Sequence, residues 1–297
     1  MKKHIRIGSR SSLLAVAQTN ILIEQLREAY PETEFELVTM KTTGDINMKP
    51  FSDSSDKLGI KGLFTKELEE ALENETIDLA VHSLKDVPMA ANEELPIVAY
   101  SAREDARDVA VFPEGSKYDG GTIGCSSARR HLQLADLFPC TPVMPVRGNI
   151  ITRLRKLDEG EFSMLILAAA GLKRAKLENR ISRYFSPDEV VPAPGQGVLA
   201  CQGKAGRDYS WLDAIRDKET ELCVRAERTF AALLGGGCTS PVGAYAEADG
   251  EKLTLRGFYQ SEKTGECHKA THAGNINEPE KLARQLAKII SQGELQI

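Results

Sequence analysis

Short apolar runs alternate with amphipathic stretches of helical period through the first two thirds of the chain, and this alternation limits the fold to layered α/β architecture. Ile5 to Gly8 reads as a strand and Ser11 or Ser12 as a helix N-cap. Leu13, Val16, Ala17, Ile21 and Leu26 then recur as the buried stripe of a helix. Phe35 to Met40 is the next strand. Beyond a Gly-, Asp- and Ser-rich loop from Thr42 to Lys61, a helix is predicted over about Phe64 to Glu73, and Ile77 to His82 returns as a strand. Strands joined through helices pair in parallel by right-handed crossovers, so a parallel sheet is expected.

The pattern starts again after Tyr100, with strands near Val109 to Phe112, Thr122 to Gly124, Val143 to Val146 and Met164 to Ala168, and helices from Ser127 and Asn149. Pro192, Pro194, Gly195 and Gly197 punctuate the approach to a further strand, Val198 to Gln202. Its position after the second domain predicts that the chain crosses back into the first. From Lys218 the character changes to a helix ending near Leu234, three strands with Asp249-Gly250 turning the first hairpin, and a closing helix from Pro279. The predicted division is residues 1–99 with 198–217 as one α/β domain, 100–197 as a second, and 218–297 as a small α+β domain.

Net charge is −5 over 297 residues, which argues against a protein that coats a long polyanion such as nucleic acid. The average conceals an asymmetry. Between Thr122 and Arg183 there are eleven Lys and Arg against five acidic residues, so this segment is expected to meet a compact anion. Six cysteines stand in no Cys-x-x-Cys pair, and the start Met-Lys-Lys-His-Ile-Arg leads into a strand pattern, so a reducing, cytoplasmic setting is expected. The apolar stretch from Met164 to Gly171 is too short to span a bilayer.

Several segments carry chemistry. Ala80 to Pro88 ends a buried strand with Lys85 and Asp86, where an open α/β sheet gathers its ligands; an aspartate ahead of Val-Pro serves equally as a turn residue. Ser127-Ala128-Arg129-Arg130 and Arg147-Gly148-Asn149 place arginine at strand-to-helix junctions, which offer unpaired N–H groups and a planar fork for carboxylate or phosphate. Arg153 follows Asn149 by one turn, Arg10 precedes the first helix, and Lys173-Arg174 follows the Met164 strand; Arg155, Arg180 and Arg183 read as solvated charges. In Leu234-Gly235-Gly236-Gly237-Cys238-Thr239-Ser240-Pro241, glycines and a proline turn let a bulky group approach the sulfur. Cys267, His268 and His272 lack a fourth partner nearby in sequence, and no metal is expected.

Taken in order, Ile-Gly-Ser-Arg-Ser-Ser, Lys61 to Glu69, Val-His-Ser-Leu-Lys-Asp-Val-Pro, Ser-Ser-Ala-Arg-Arg, Arg-Gly-Asn, Ala-Gly-Leu-Lys-Arg, Pro-Gly-Gln-Gly and Gly-Gly-Cys make the chain closely resemble the porphobilinogen deaminase (hydroxymethylbilane synthase) family, from Ile5 to Ala246. The resemblance implies two periplasmic-binding-protein-like α/β domains around a cleft, plus a small C-terminal domain. It implies an enzyme of tetrapyrrole and haem biosynthesis that links four porphobilinogens head to tail with loss of ammonia, then frees hydroxymethylbilane by hydrolysis. A covalent dipyrromethane cofactor would be held by a thioether to Cys238.

The same resemblance implies Asp86 as the acid/base residue and Ser83, Lys85, Ser127, Arg129 and Arg130 as cofactor-holding positions. Arg10, Ser12, Arg147, Arg153, Arg174 and Gln196 would grip the carboxylates of the incoming ring or growing chain, with Lys61 and Asp45 as lesser candidates. Each pyrrole bears an acetate and a propionate, which explains the need for arginine forks. Two positions depart from the family pattern: Cys125 stands where threonine is usual, and Gln202 where glutamate is common. Porphobilinogen is the expected partner, with no nucleic acid or membrane, and the chain is expected to act as a monomer. A competing expectation is a hinged, non-catalytic binding protein for a small dicarboxylate or oxyanion, which would need the arginines but neither Cys238 nor Asp86. A cysteine-dependent transferase would need a histidine partner that the sequence does not supply.

Overall fold

A computed structural model of the chain describes residues 2–42, 65–236, 241–261 and 263–291. Two compact units divide it: Met1–Arg103 with Val198–Glu221, and Glu104–Gly197 with Leu222–Ile297. Each is described by itself, with elements numbered among the described residues.

In the first unit, strands β1 (His4–Arg10), β2 (Glu34–Met40), β3 (Leu79–Ser83), β4 (Ile97–Tyr100) and β10 (Leu199–Gln202) form one sheet in the order β2-β1-β3-β10-β4. β1 pairs in parallel with β2 and β3, whereas β10 runs antiparallel to both β3 and β4. Helices α1 (Leu13–Ala29) and α2 (Lys66–Glu73) cover this sheet. Ile5, Ile7, Leu22, Ile23, Leu26 and Phe35 make its core with Leu199 and Trp211.

The buried face of α1 is not the stripe expected from Leu13 and Ile21, which are 75% and 37% exposed. Instead Gln18, Thr19, Leu22, Ile23 and Leu26 are buried. The register is set by polar partners. Thr19 Oγ1 donates to Ser9 Oγ at 2.9 Å, and Gln18 Oε1 accepts from Ser83 Oγ at 3.0 Å. A hydrogen-bonded polar group is tolerated inside, and these two rotate the helix away from its most apolar face.

In the second unit, β5 (Asp108–Val111), β6 (Ile123–Gly124), β7 (Val143–Met144), β8 (Met164–Ala168) and β9 (Arg183–Tyr184) form a second sheet in the order β7-β6-β8-β5-β9. β6 is parallel to β7 and β8; β5 runs against β8 and β9. The two sheets therefore share one plan. In each, the first strand formed after the chain arrives from the other unit is inserted against the direction of its neighbours, so the sheets are mixed rather than wholly parallel as alternation alone predicts. Helices α3 (Ala128–Leu137), α4 (Ile150–Asp158) and α5 (Ala169–Arg174) follow β6, β7 and β8.

Helix α6 (Lys218–Leu233) then leads to a three-stranded antiparallel sheet of β11 (Gly243–Asp249), β12 (Lys252–Gln260) and β13 (Cys267–Asn275), closed by α7 (Pro279–Ile290). This sheet is bonded to the loop before β10: Ala244 N donates to Pro192 O at 2.9 Å, and Lys269 Nζ to Glu189 O at 2.7 Å. Among the described residues no helix is long and apolar enough to cross a membrane.

Asp78 stitches β1 to β3. Its carboxylate accepts from Arg6 N at 2.9 Å, Arg6 Nε at 3.1 Å and Lys2 Nζ at 2.7 Å. Burial opposes its ionisation, but the bonds from Arg6 and Lys2 outweigh that and bring its pKa down to about 2. A carboxyl lowered on folding adds stability above its unfolded pKa and loses it as pH falls toward the folded value. Asp78→Asn is therefore expected to cost about 2 kcal/mol in urea unfolding at neutral pH. The gap from the parent should close as pH drops from about 4 toward 2; a pH-independent gap would contradict this origin.

Candidate active site

The carboxyl ends of β1 and β3 lie side by side in the first unit, and five sequence-predicted residues gather there. Arg10 ends β1, and Ser12 caps α1, its hydroxyl accepting from Ala15 N at 3.3 Å. Ser83 ends β3, and Lys85 and Asp86 sit half-buried in the single 3-10 turn that follows, Leu84–Asp86. That turn is anchored through Leu84, which is fully buried and donates its N–H to Val198 O at 3.0 Å. Asp86 and Lys85 are thus held at a strand terminus by backbone bonds, with polar heads beside a sheet end that binds ligands in open α/β folds.

In the second unit the carboxyl ends of β6 and β7 carry the arginines. Ser127 caps α3, accepting from Arg130 N at 3.5 Å; Asn149 caps α4, its Oδ1 accepting from Thr152 N at 2.9 Å. Arg129 and Arg130, in the first turn of α3, turn inward onto Asp108. Arg129 Nη1 reaches Asp108 Oδ2 at 2.8 Å, while Arg130 Nη2 and Nε reach Oδ1 at 2.6 and 3.0 Å. All three side chains are buried. Burial pushes the Asp108 carboxyl up, but the two guanidiniums overcome it and hold the group well below the usual carboxylate range.

Arg147 and Arg153 follow β7, and Gly148 between them has φ 110°, a conformation that favours glycine; a Cβ there would lie 2.7 Å from Thr152 Cγ2. Arg153 Nε donates to Gly148 O at 2.8 Å. Burial, with the repulsion of Arg130 and Arg147, lowers the Arg153 pKa, and no carboxylate among the described residues pairs with it. Arg174, at the far end of α5, donates to Gly197 O at 2.6 Å, and burial brings its pKa down to about 10. The arginines expected to behave alike are thus separated: Arg129 and Arg130 are built into the interior, whereas Arg153 and Arg174 are half-buried and bonded to carbonyls. Arg155, Arg180 and Arg183 are paired with Glu159, Asp158 and Glu189.

Gln196 is buried, with Nε2 donating to Asp108 Oδ1 at 2.8 Å and Ala106 O at 2.7 Å. Cys125 is buried in the same cluster, its Sγ 3.7 Å from Ser127 O, and burial pushes its thiol pKa up. Cys238, Asp45 and Lys61 lie outside the described residues. Among the described residues no group of three His, Cys, Asp or Glu is placed to hold a metal ion.

Two interior acids belong to no sequence motif. Asp108 heads the wholly buried strand Asp108–Val111, and an acid in an otherwise apolar run is the signal that was available. Glu227 is fully buried in α6 and accepts from Gly195 N at 2.7 Å and Ala246 N at 2.8 Å. It tethers the helix leading toward Cys238 to the Gln196 loop and to β11. Its helical neighbours Cys223, Val224, Phe230 and Ala231 are all buried, so its place on an apolar stripe marked it as an interior acid. Asp108→Ala would strand two guanidiniums in the interior and is expected to cost about 3–5 kcal/mol in denaturant unfolding. A loss below about 1 kcal/mol would show that Asp108 does not carry those charges.

Residues 5–210 match the family model described as porphobilinogen deaminase, dipyromethane cofactor binding domain, and residues 221–292 match that of the porphobilinogen deaminase C-terminal domain. The porphobilinogen deaminase of Ruminiclostridium josui is 49% identical over 287 residues, covering 96% of this chain and 97% of the relative. That of Alkaliphilus oremlandii is 50% identical over 285 residues, covering 95% of each. Among solved structures, the periplasmic aliphatic sulphonate binding protein SsuA from Escherichia coli aligns with 77% of this chain and 69% of its own, at TM-score 0.41 and 14% identity. On the family models and the nearly full-length relatives, the chain belongs to the porphobilinogen deaminase family.

Proposed function

We propose that this chain joins four molecules of porphobilinogen head to tail, releasing ammonia at each step, and then frees hydroxymethylbilane by hydrolysis. The observation that carries the proposal is Arg153: a half-buried guanidinium, repelled by Arg130 and Arg147 and without a carboxylate partner among the described residues. Such a group is stabilised when an anionic ligand arrives, and a pyrrole acetate or propionate is a planar carboxylate that fits its fork.

The residues fit a dipyrromethane cofactor for the same reason. In this reading Lys85 and Ser127 bond its carboxylates, with Ser83 turning its hydroxyl to them from Gln18, and the surplus charge of the Arg129–Arg130–Asp108 cluster holds them electrostatically. Cys238 provides the thioether, and residues 218–297 act as the cofactor-carrying domain. When bound, the group supplies the pyrrole carbon to which new units are joined. Arg10, Ser12, Arg147, Arg153 and Arg174 orient the incoming substrate by its side-chain carboxylates, while Gln196, its amide protons committed to Asp108 and Ala106, holds its loop against β5. Asp86 stays beside the reacting ring. It stabilises the positive charge that develops when ammonia leaves and again when the new carbon–carbon bond forms, and it accepts the proton released as the ring regains aromaticity.

A single chain carries the cysteine, the aspartate and the arginines, so the protein acts as a monomer in this scheme. The five cysteines among the described residues are free thiols, in keeping with the cytoplasm.

Asp86→Ala is expected to lose nearly all porphobilinogen consumption while remaining folded with pyrroles attached; normal turnover in that variant would overturn the assignment of Asp86. Arg153→Leu should lose charge-assisted bonds worth about 1.5–3 kcal/mol, roughly ten- to a hundredfold in elongation rate. Stalled enzyme–substrate species should then appear in mass spectra, and unchanged elongation would contradict the role.

A further inference from the structure

The inserted strand β10 places Gln202 diagonally across from His82 on β3, since Gln202 registers with Ala80 and His82 with Ala200. Both side chains are buried. The Gln202 amide nitrogen has two donor protons and two acceptors in place: Glu69 Oε1 of α2 at 3.0 Å and the Leu95 carbonyl at 2.9 Å. A carboxylate and a carbonyl only accept, so the nitrogen must face them and the amide oxygen must face the ring. That oxygen lies 3.0 Å from His82 Nε2. An amide oxygen also only accepts, so Nε2 must carry a proton. The amide is locked in one orientation, and through it the ring is locked in one tautomer.

A second proton on the ring is opposed from two sides. The ring is buried, and the guanidinium of Arg10 on the neighbouring strand repels a cation; together, burial foremost, they lower the His82 pKa to about 4 against the favourable bond to Gln202. Glu69, the acid on α2, is engaged by Gln202 and meets the ring only through it.

We propose that Gln202 is a positioning residue that holds His82 as the neutral Nε2–H imidazole, so that β3 delivers Ser83, Lys85 and Asp86 from an uncharged ring. The tautomer follows from the hydrogen bonds alone. Its effect on turnover rests on the function proposed above.

The test is nitrogen-15 NMR of the full chain labelled at its five histidines, with His82 assigned by comparison with His82→Gln. At about pH 6, where a free histidine is largely charged or mixed, His82 should be neutral with its proton on Nε2. A proton on Nδ1, or on both nitrogens, would overturn the proposal, and this measurement needs no variant at position 202 to fold. In Gln202→Glu a carboxylate faces the ring beside Glu69, and the His82 midpoint should rise by about one pH unit or more. The kcat for porphobilinogen consumption, rather than KM, should then acquire an ionisation at that new midpoint. An unmoved midpoint would overturn the lock. A moved midpoint with an unaltered kcat profile would overturn the link to delivery. Failure of the parent protein to consume porphobilinogen, with His82 still in the expected tautomer, would instead defeat the proposed function and leave the tautomer standing.

Discussion

The second unit is organised around one buried carboxylate. Asp108 compensates two buried guanidiniums that would otherwise cost several kcal/mol to desolvate, and the elements that meet there are fixed by it: the head of β5, the first turn of α3 and the loop carrying Gln196. Two cations against one anion leave a surplus, and Arg153, which feels Arg130, adds to it. The same cluster therefore secures the fold through Asp108 and leaves a net positive charge through its arginines. Glu227 extends the arrangement by holding Gly195, whose φ of 72° makes the turn beside Gln196, and by bonding β11.

The inserted strands explain why interior polar residues lie where the chemistry is. Each enters its sheet against the direction of its neighbours, and each brings a buried polar side chain against residues of the candidate site or the strand leading into them. β5 brings Asp108 beneath Arg129 and Arg130; β10 brings Gln202 against His82, ahead of Ser83, Lys85 and Asp86. Within the first unit the turn after β3 carries a carboxylate and an ammonium, and within the second the helices after β6 and β7 carry guanidiniums. In the proposed reaction the cations would hold carboxylate-rich rings while a separate acid handles protons.

Much of this was legible in the residues. Strand and helix alternation gave the layered class, the hairpin at Asp249-Gly250 closes with Asp249 opposite Lys252, and β8 spans Met164–Ala168 as its apolar run predicts. Motif order gave the family. What was not legible came from partners distant in sequence. Nothing near Arg129 announces that Asp108 lies against it, 21 positions earlier, so an interior ion cluster read as outward forks. The buried face of α1 departs from its apolar stripe because its register obeys Ser9 and Ser83. The antiparallel insertions were hidden too, since alternation reports which segments are strands and not the end from which a strand enters.

In the proposed scheme a thioether-linked pyrrole cofactor on Cys238 would join the sequence motif to the arginine chemistry. Intact mass spectrometry of the purified, denatured chain, followed by digestion to locate the modified residue, tests it in one step. The account predicts a mass greater than the polypeptide by two linked pyrrole units, located on the peptide containing Cys238 and increasing on incubation with porphobilinogen. A chain that weighs only as much as its amino acids before and after that incubation, or pyrroles located on another sulfur such as Cys125, would contradict it.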